Sequence, residues 1–199
     1  MANTCHKIHI HTIFAVKFRK GLIQPHWEER LYSVIGNLIY ESGGKPIIIN
    51  GVEDHVHCFF HAKPSVTISG IMKSAKAKSS KWINENNLLR HRFEWHSGYG
   101  CFSYGHSQKN DVYQYILNQK EHHKRMTFRE EYEKLLKMFE IDYDERFLFK
   151  NPIMTDRDKS TCWSCLSAIK ADACGAAFSQ WCCQSIPPVK TGGYDSVYA

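Results

Sequence analysis

From residue 8 to 18 apolar and polar positions alternate, with β-branched and aromatic side chains filling the run, so this segment reads as a strand. Between residues 25 and 41 the period lengthens. Trp27, Leu31, Val34, Ile35, Leu38 and Ile39 fall on one side of a helix that Gly43-Gly44 closes. Two short strands follow, 45–50 and 56–62, and the turn Gly51-Val52-Glu53-Asp54 between them predicts a hairpin. Residues 65–86 form a long amphipathic helix with Ile68, Ile71, Met72, Ala75, Ser79, Trp82 and Ile83 on one face. An aromatic-rich stretch, 92–103, carries Gly98 and Gly100 and reads as a glycine-bent strand. Residues 110–139 are helical by propensity, in one or two pieces. The order β-α-β-β-α-β-α defines the α+β class, with helices packed on a mainly antiparallel sheet of about four strands.

Composition adds a boundary. The chain has 199 residues and a formal charge of +6, from 26 Lys and Arg against 20 Asp and Glu, with 12 His counted neutral. Residues 151–199 hold four basic and four acidic side chains and no His, so the whole excess charge and every histidine lie in 1–150. We therefore place a domain at 1–150 and a Cys-rich tail at 151–199, partly disordered and of no assigned role. In that tail Cys162-x-x-Cys165 raises a zinc reading. The adjacent pair Cys182-Cys183 supplies no second C-x-x-C loop, which counts against it. The uninterrupted apolar run Ile13-Phe14-Ala15-Val16 is far short of the roughly 18 residues of a membrane span. With no apolar leader at residues 1–11, the expectation is a cytoplasmic protein that does not touch membranes.

The sharpest motif is Asp54-His55-Val56-His57. On a strand, His55 and His57 project from one face about 7 Å apart and can converge on one metal ion. His9-Ile10-His11 repeats the bare pattern, so two histidines alone decide little. In the segment 112–124, Tyr115 and Gln119 are spaced i, i+4 and share a helical face. Val112, Tyr113, Ile116 and Leu117 cluster elsewhere, which makes Tyr113 the expected core aromatic and holds Tyr115 off the core. His122 follows Gln119 by three residues and is a further candidate for a metal or a phosphate. Lys73, Lys76, Lys78 and Lys81 form an arc opposite the apolar face of the 65–86 helix, a stripe suited to a phosphate backbone.

Histidine-hydrophobe-histidine on a strand, then a helix bearing Tyr-x-x-x-Gln, resembles the HUH single-tyrosine transposases of small bacterial insertion sequences. The similarity extends to Lys17-Phe18-Arg19, Lys78-Ser79-Ser80, Trp95, Gly98-Tyr99-Gly100, His122-His123 and Phe128, covering about residues 5–150. The resemblance implies a ferredoxin-like HUH fold with the catalytic tyrosine on a C-terminal helix. It implies that Tyr115 attacks single-stranded DNA to leave a 5′-phosphotyrosine and a free 3′-hydroxyl. It also implies that His55, His57 and Gln119 hold Mg2+ or Mn2+. Its expected substrate is hairpin-bearing DNA at element ends, and its expected assembly is a homodimer in which the tyrosine helix acts in cis or in trans. A domesticated or replication-type nickase, and a non-catalytic nucleic-acid-binding module, are the rival readings.

Overall fold

The computed structural model describes residues 5–144 and Leu148; the Cys-rich tail lies outside the described residues. Four strands, β1 (Ile8–Ala15), β2 (Gly44–Val52), β3 (His55–Ala62) and β4 (Gly100–Tyr104), form one antiparallel sheet in the order β2-β3-β1-β4. The expected hairpin is β2–β3, turning at Glu53 and Asp54. Central β1 pairs with β3 from Ile8↔Ala62 to Ala15↔His55 and with β4 on its other side.

Strand alternation gives the sheet two distinct faces. Ile10, Phe14, Val56, Cys58 and Phe60 point to one of them. There they pack against Trp27, Leu31, Ile35 and Ile39 of α1 (Pro25–Glu41) and Ile71, Met72, Ala75 and Ile83 of α2 (Ile68–Glu85). Each buried Val, Leu, Ile, Phe or Met side chain among them is worth roughly 1.5–3 kcal/mol when taken out of water, so this layer is the main core. Proline at the first turn starts α1, and Thr67 caps α2 by accepting from the Gly70 amide. His9, His11, His55, His57 and Phe59 point to the opposite face, beneath α3 (Lys109–Leu117), α4 (Gln119–His122) and α5 (Phe128–Met138).

Three expectations are corrected in detail. Strand β1 stops at Ala15 because residues 17–19 tighten into a 3-10 turn, with Phe18 and Arg19 at positive φ (58° and 52°). That conformation is uncommon for side-chain-bearing residues, and here it swings Arg19 inward against Asp54. The 92–103 strand shrinks to β4, with Trp95 touching Val16 only through an isolated bridge. Trp95 is buried, and its indole N–H donates to Ser79 Oγ at 2.9 Å. The 110–139 helix comes in three pieces, broken at Asn118 and over 123–127. Thr127 restarts it through a capping box with Glu130.

Candidate active site

The sheet supplies the floor. His55 and His57 are fully buried on β3, two residues apart and on one face, with ring centroids 5.0 Å apart. Each ring is oriented through its Nδ1. His55 Nδ1 lies 2.6 Å from Asp54 Oδ1, and the other Asp54 oxygen accepts from Arg19 Nη2 (2.6 Å) and Nε (3.0 Å). Burial opposes the Asp54 charge, but His55 and Arg19 outweigh it and hold this carboxyl well below the usual carboxylate range. His57 Nδ1 lies 3.0 Å from His11 Nε2 on the neighbouring strand. Burial pushes His57 well below an ordinary imidazole and His11 down to about 4, so both rings are neutral at physiological pH. The two Nε2 atoms of His55 and His57 remain without a hydrogen-bond partner.

The helices supply the roof. Tyr115 does not stand off the core as its spacing suggested. Itself half-buried, as Tyr113 is, it shares the sheet-facing side of α3 with buried Val112 and Ile116 and packs against the cluster that holds Phe59, of which Tyr113 is not a member. The physical reason is that the apolar surface beneath α3 is itself part of the histidine face, so facing the core and facing the site coincide. The Tyr115 ring centroid lies 6.1 Å from that of His57, within one chain. Asn118 separates Tyr115 and Gln119 onto two helices, yet both reach one carboxylate, Glu131. The Tyr115 hydroxyl donates to Glu131 Oε1, and Gln119 Nε2 donates to the same oxygen at 3.0 Å. Burial and the Glu131 charge raise the Tyr115 phenol well above its usual range, so the proton stays on its oxygen.

Glu131, on α5, is the residue that sequence reasoning missed. It is 2% exposed and lies among histidines: His123 Nε2 is 3.1 Å from its Oε2, and His55 and His57 Nε2 are each 3.7 Å away. Burial alone would raise this carboxyl, but His57, His123 and His55 hold it well below the usual range. His123 responds in kind, raised by Glu131 despite its burial. His122 sits farther out, with its Nε2 3.8 Å from Glu131 Oε1, and burial lowers its pKa. The ligand atoms of His55, His57, His123 and Glu131 all lie within 4.8 Å of one another. Buried atoms left without a hydrogen-bond partner here include Nε2 of His55, His57 and His123, Gln119 Oε1 and Glu131 Oε2. Buried polar atoms are rarely left unsatisfied, and four converging lone-pair donors, with the unpartnered Gln119 amide oxygen on a side chain that reaches the same carboxylate, suit a cation.

The lysine arc stands elsewhere. Since α2 packs on the other sheet face, its polar side points away from Tyr115. Lys76 is half-buried and donates to the carbonyls of His96 (2.6 Å), Ser97 (3.2 Å) and Gly98 (2.7 Å), closing a loop. Lys73, Lys78 and Lys81 are exposed, Lys78 lying 3.8 Å from Glu41 and Lys81 3.5 Å from Glu85.

A buried histidine pair, a tyrosine and an amide gathered on an antiparallel sheet define a candidate phosphoryl-transfer centre. The family model described as "Transposase IS200 like" matches residues 4–119, more than half of the chain, ending on Gln119. The chain belongs to this family of transposases, which are DNA-cleaving enzymes. No curated protein matches it. Among solved structures, a Deinococcus radiodurans R1 protein assigned to the transposases is similar, with 20% identity and a TM-score of 0.49. The match covers 60% of this chain and 95% of that one. A REP-associated tyrosine transposase bound to a REP hairpin is similar at 11% identity and a TM-score of 0.47, over 62% of this chain and 74% of that one. Among the described residues, no helix is long and apolar enough to cross a membrane.

Proposed function

We propose that this transposase cuts and rejoins single-stranded DNA through a 5′-phosphotyrosine on Tyr115, with Mg2+ or Mn2+ held by His55, His57 and Gln119. The observation that carries the reading is the meeting of the Tyr115 hydroxyl with the unpartnered Nε2 atoms of the histidine pair around one buried carboxylate. When bound, the ion supplies a Lewis acid that polarises the phosphoryl oxygens as charge builds on them. The chain's residues do the rest. Tyr115 Oη forms a bond to phosphorus as the bond from phosphorus to the 3′ oxygen breaks. The phenolic proton passes to Glu131 Oε1, to which it is already hydrogen-bonded, and the departing oxygen takes one proton from water to become a 3′-hydroxyl. The phosphotyrosine conserves the bond energy, so attack by a second 3′-hydroxyl rejoins strands without ATP.

The substrate we assign is DNA with hairpin-bearing ends, and the active unit a homodimer joined along a sheet edge, β2 or β4. We assign the tyrosine to its own chain's histidines, a reading supported by the 6.1 Å between the ring centroids of Tyr115 and His57. The exposed lysines Lys73, Lys78 and Lys81, with Lys76 a lesser contributor, hold the phosphate backbone away from the scissile bond.

The test is a labelled hairpin oligonucleotide incubated with the protein and Mn2+. A covalent protein–DNA adduct is expected, lost in Tyr115→Phe and kept in Tyr113→Phe. DNA binding with no adduct from the intact site would refute the catalytic reading in favour of a binding module.

A further inference from the structure

Two groups in the site are assigned no ligand role by the Tyr-x-x-x-Gln pattern: His123 and Glu131, both beyond the last residue matched by the family model. Glu131 is almost wholly buried, and its two oxygens have different surroundings. Oε1 accepts from Tyr115 and Gln119, whereas Oε2 has no hydrogen-bond partner and faces the three unpartnered Nε2 atoms of His123, His55 and His57 at 3.1, 3.7 and 3.7 Å. Donors bound at about 2.1 Å to one ion stand roughly 3.0–3.5 Å from their neighbours and about 4.2 Å across it. The observed spacings fall in that range, and the 3.7 Å separations of His55 and His57 from Oε2 are too long for hydrogen bonds.

We infer that the ion is held by five side chains, with Glu131 Oε2 and His123 Nε2 joining His55, His57 and Gln119, and that Glu131 Oε1 keeps the Tyr115 hydroxyl, so one carboxylate couples metal to nucleophile. The inference rests on the reading that His55 and His57 hold a metal. Three imidazoles, one carboxylate and one amide oxygen favour a first-row transition ion such as Mn2+ over Mg2+, which prefers an all-oxygen shell. The ion also ties α5 to the sheet, because its ligands come from β3, α4, the turn after α4, and α5.

The experiment uses the full chain, stripped with EDTA, without DNA. Co2+ is titrated while the visible d–d spectrum is recorded, and Mn2+ affinity is measured from the electron paramagnetic resonance of the free ion. Circular dichroism checks the fold of every variant. Glu131→Gln and His123→Ala are each expected to change the Co2+ spectrum and to weaken Mn2+ binding on the order of tenfold or more. Glu131→Asp, which keeps the charge but shortens the arm, is expected to shift the spectrum too. Should Glu131→Gln fail to fold, His123→Ala and Glu131→Asp decide the question alone. Unchanged spectra and affinities in these variants, with binding lost in His57→Ala, would overturn the five-ligand set and leave the histidine pair standing. Binding undiminished in His57→Ala would remove the metal reading itself.

Discussion

The Nε2 of His11 lies 3.0 Å from the Nδ1 of His57, across the register position that sets His11 beside Phe59 and Ile13 beside His57. One of the two nitrogens must donate. If His57 offers its Nε2 lone pair to an ion, its proton sits on Nδ1 and His11 must accept. A neutral His11 can do so, and burial keeps it neutral down to about pH 4. His11 therefore fixes the tautomer and aim of a ligand without touching the ion. His11→Ala is expected to weaken Mn2+ affinity by about 10–100-fold, measured by titration of the metal-free protein. Unaltered affinity would show that the contact is packing only.

On the other side of the pair, Arg19, Asp54 and His55 form a chain of short contacts, and acid should break it. The Asp54 carboxyl is depressed in the folded protein, so its contribution is full above its ordinary value near 4 and fades as pH falls through the folded value. Glu131 adds to the same trend, since His57, His123 and His55 hold it low against the effect of burial. Unfolding followed from pH 7 to pH 3 in metal-free buffer should show stability falling at the acidic end. Asp54→Asn should start lower at pH 7 and fall less steeply. Parallel curves for the two proteins would sever Asp54 from the acid response.

Much of this site was legible in the chain, for a definite reason. Period-two alternation puts His55 and His57 on one face whatever surrounds the strand, and the i, i+4 spacing of Tyr115 and Gln119 keeps them on one side even though the helix breaks at Asn118 between them. What failed depended on which surface each helix would meet. Tyr113 looked like the core aromatic because its apolar neighbours set the direction. The sheet beneath α3 instead draws in the Val112, Tyr115 and Ile116 side. Glu131 stands in the sequence among Arg129, Glu130 and Glu133, a charged neighbourhood that does not announce a buried carboxylate. The missed signal was its place between Phe128 and Leu135, at i+3 and i−4, inside the buried stripe of α5. A carboxylate in an apolar stripe needs a partner. Lys76 seemed equivalent to its neighbours because helical phase cannot foresee three carbonyls presented by the 96–98 loop.

The lysines give a prediction that separates affinity from chemistry. Lys73, Lys78 and Lys81 stand on the far side of the sheet from Tyr115, so replacing all three by Gln should weaken single-stranded DNA binding and flatten its salt dependence. Each lost phosphate contact removes about 0.7 from the slope of log affinity against log salt. Adduct yield at saturating DNA should stay at the wild-type level. Lys76→Gln should act differently, lowering stability through the freed 96–98 carbonyls with a smaller effect on the salt slope. Filter-binding across a salt series, beside thermal unfolding, measures both. A slope unmoved by the triple replacement would take the DNA path away from α2.

Gly51 ties the stability of the hairpin to the geometry of the site. It is paired with Val56, one residue past His55, and a methyl group at its Cα would lie 2.3 Å from the His55 carbonyl oxygen and 3.0 Å from the Val56 Cα. Those are backbone atoms, so no side-chain rotation relieves the clash and β3 itself must move at His55. Overpacking of this kind costs roughly 1–3 kcal/mol. Gly51→Ala should therefore lower the unfolding midpoint and, in the fraction that stays folded, reduce metal affinity because His55 is displaced from its partner Asp54. Gly98 serves as the control, since nothing lies within 4 Å of a methyl placed there. Gly98→Ala should leave metal affinity unchanged. If Gly51→Ala lost stability yet bound Mn2+ as tightly as the wild type, His55 would not need its observed position to serve as a ligand.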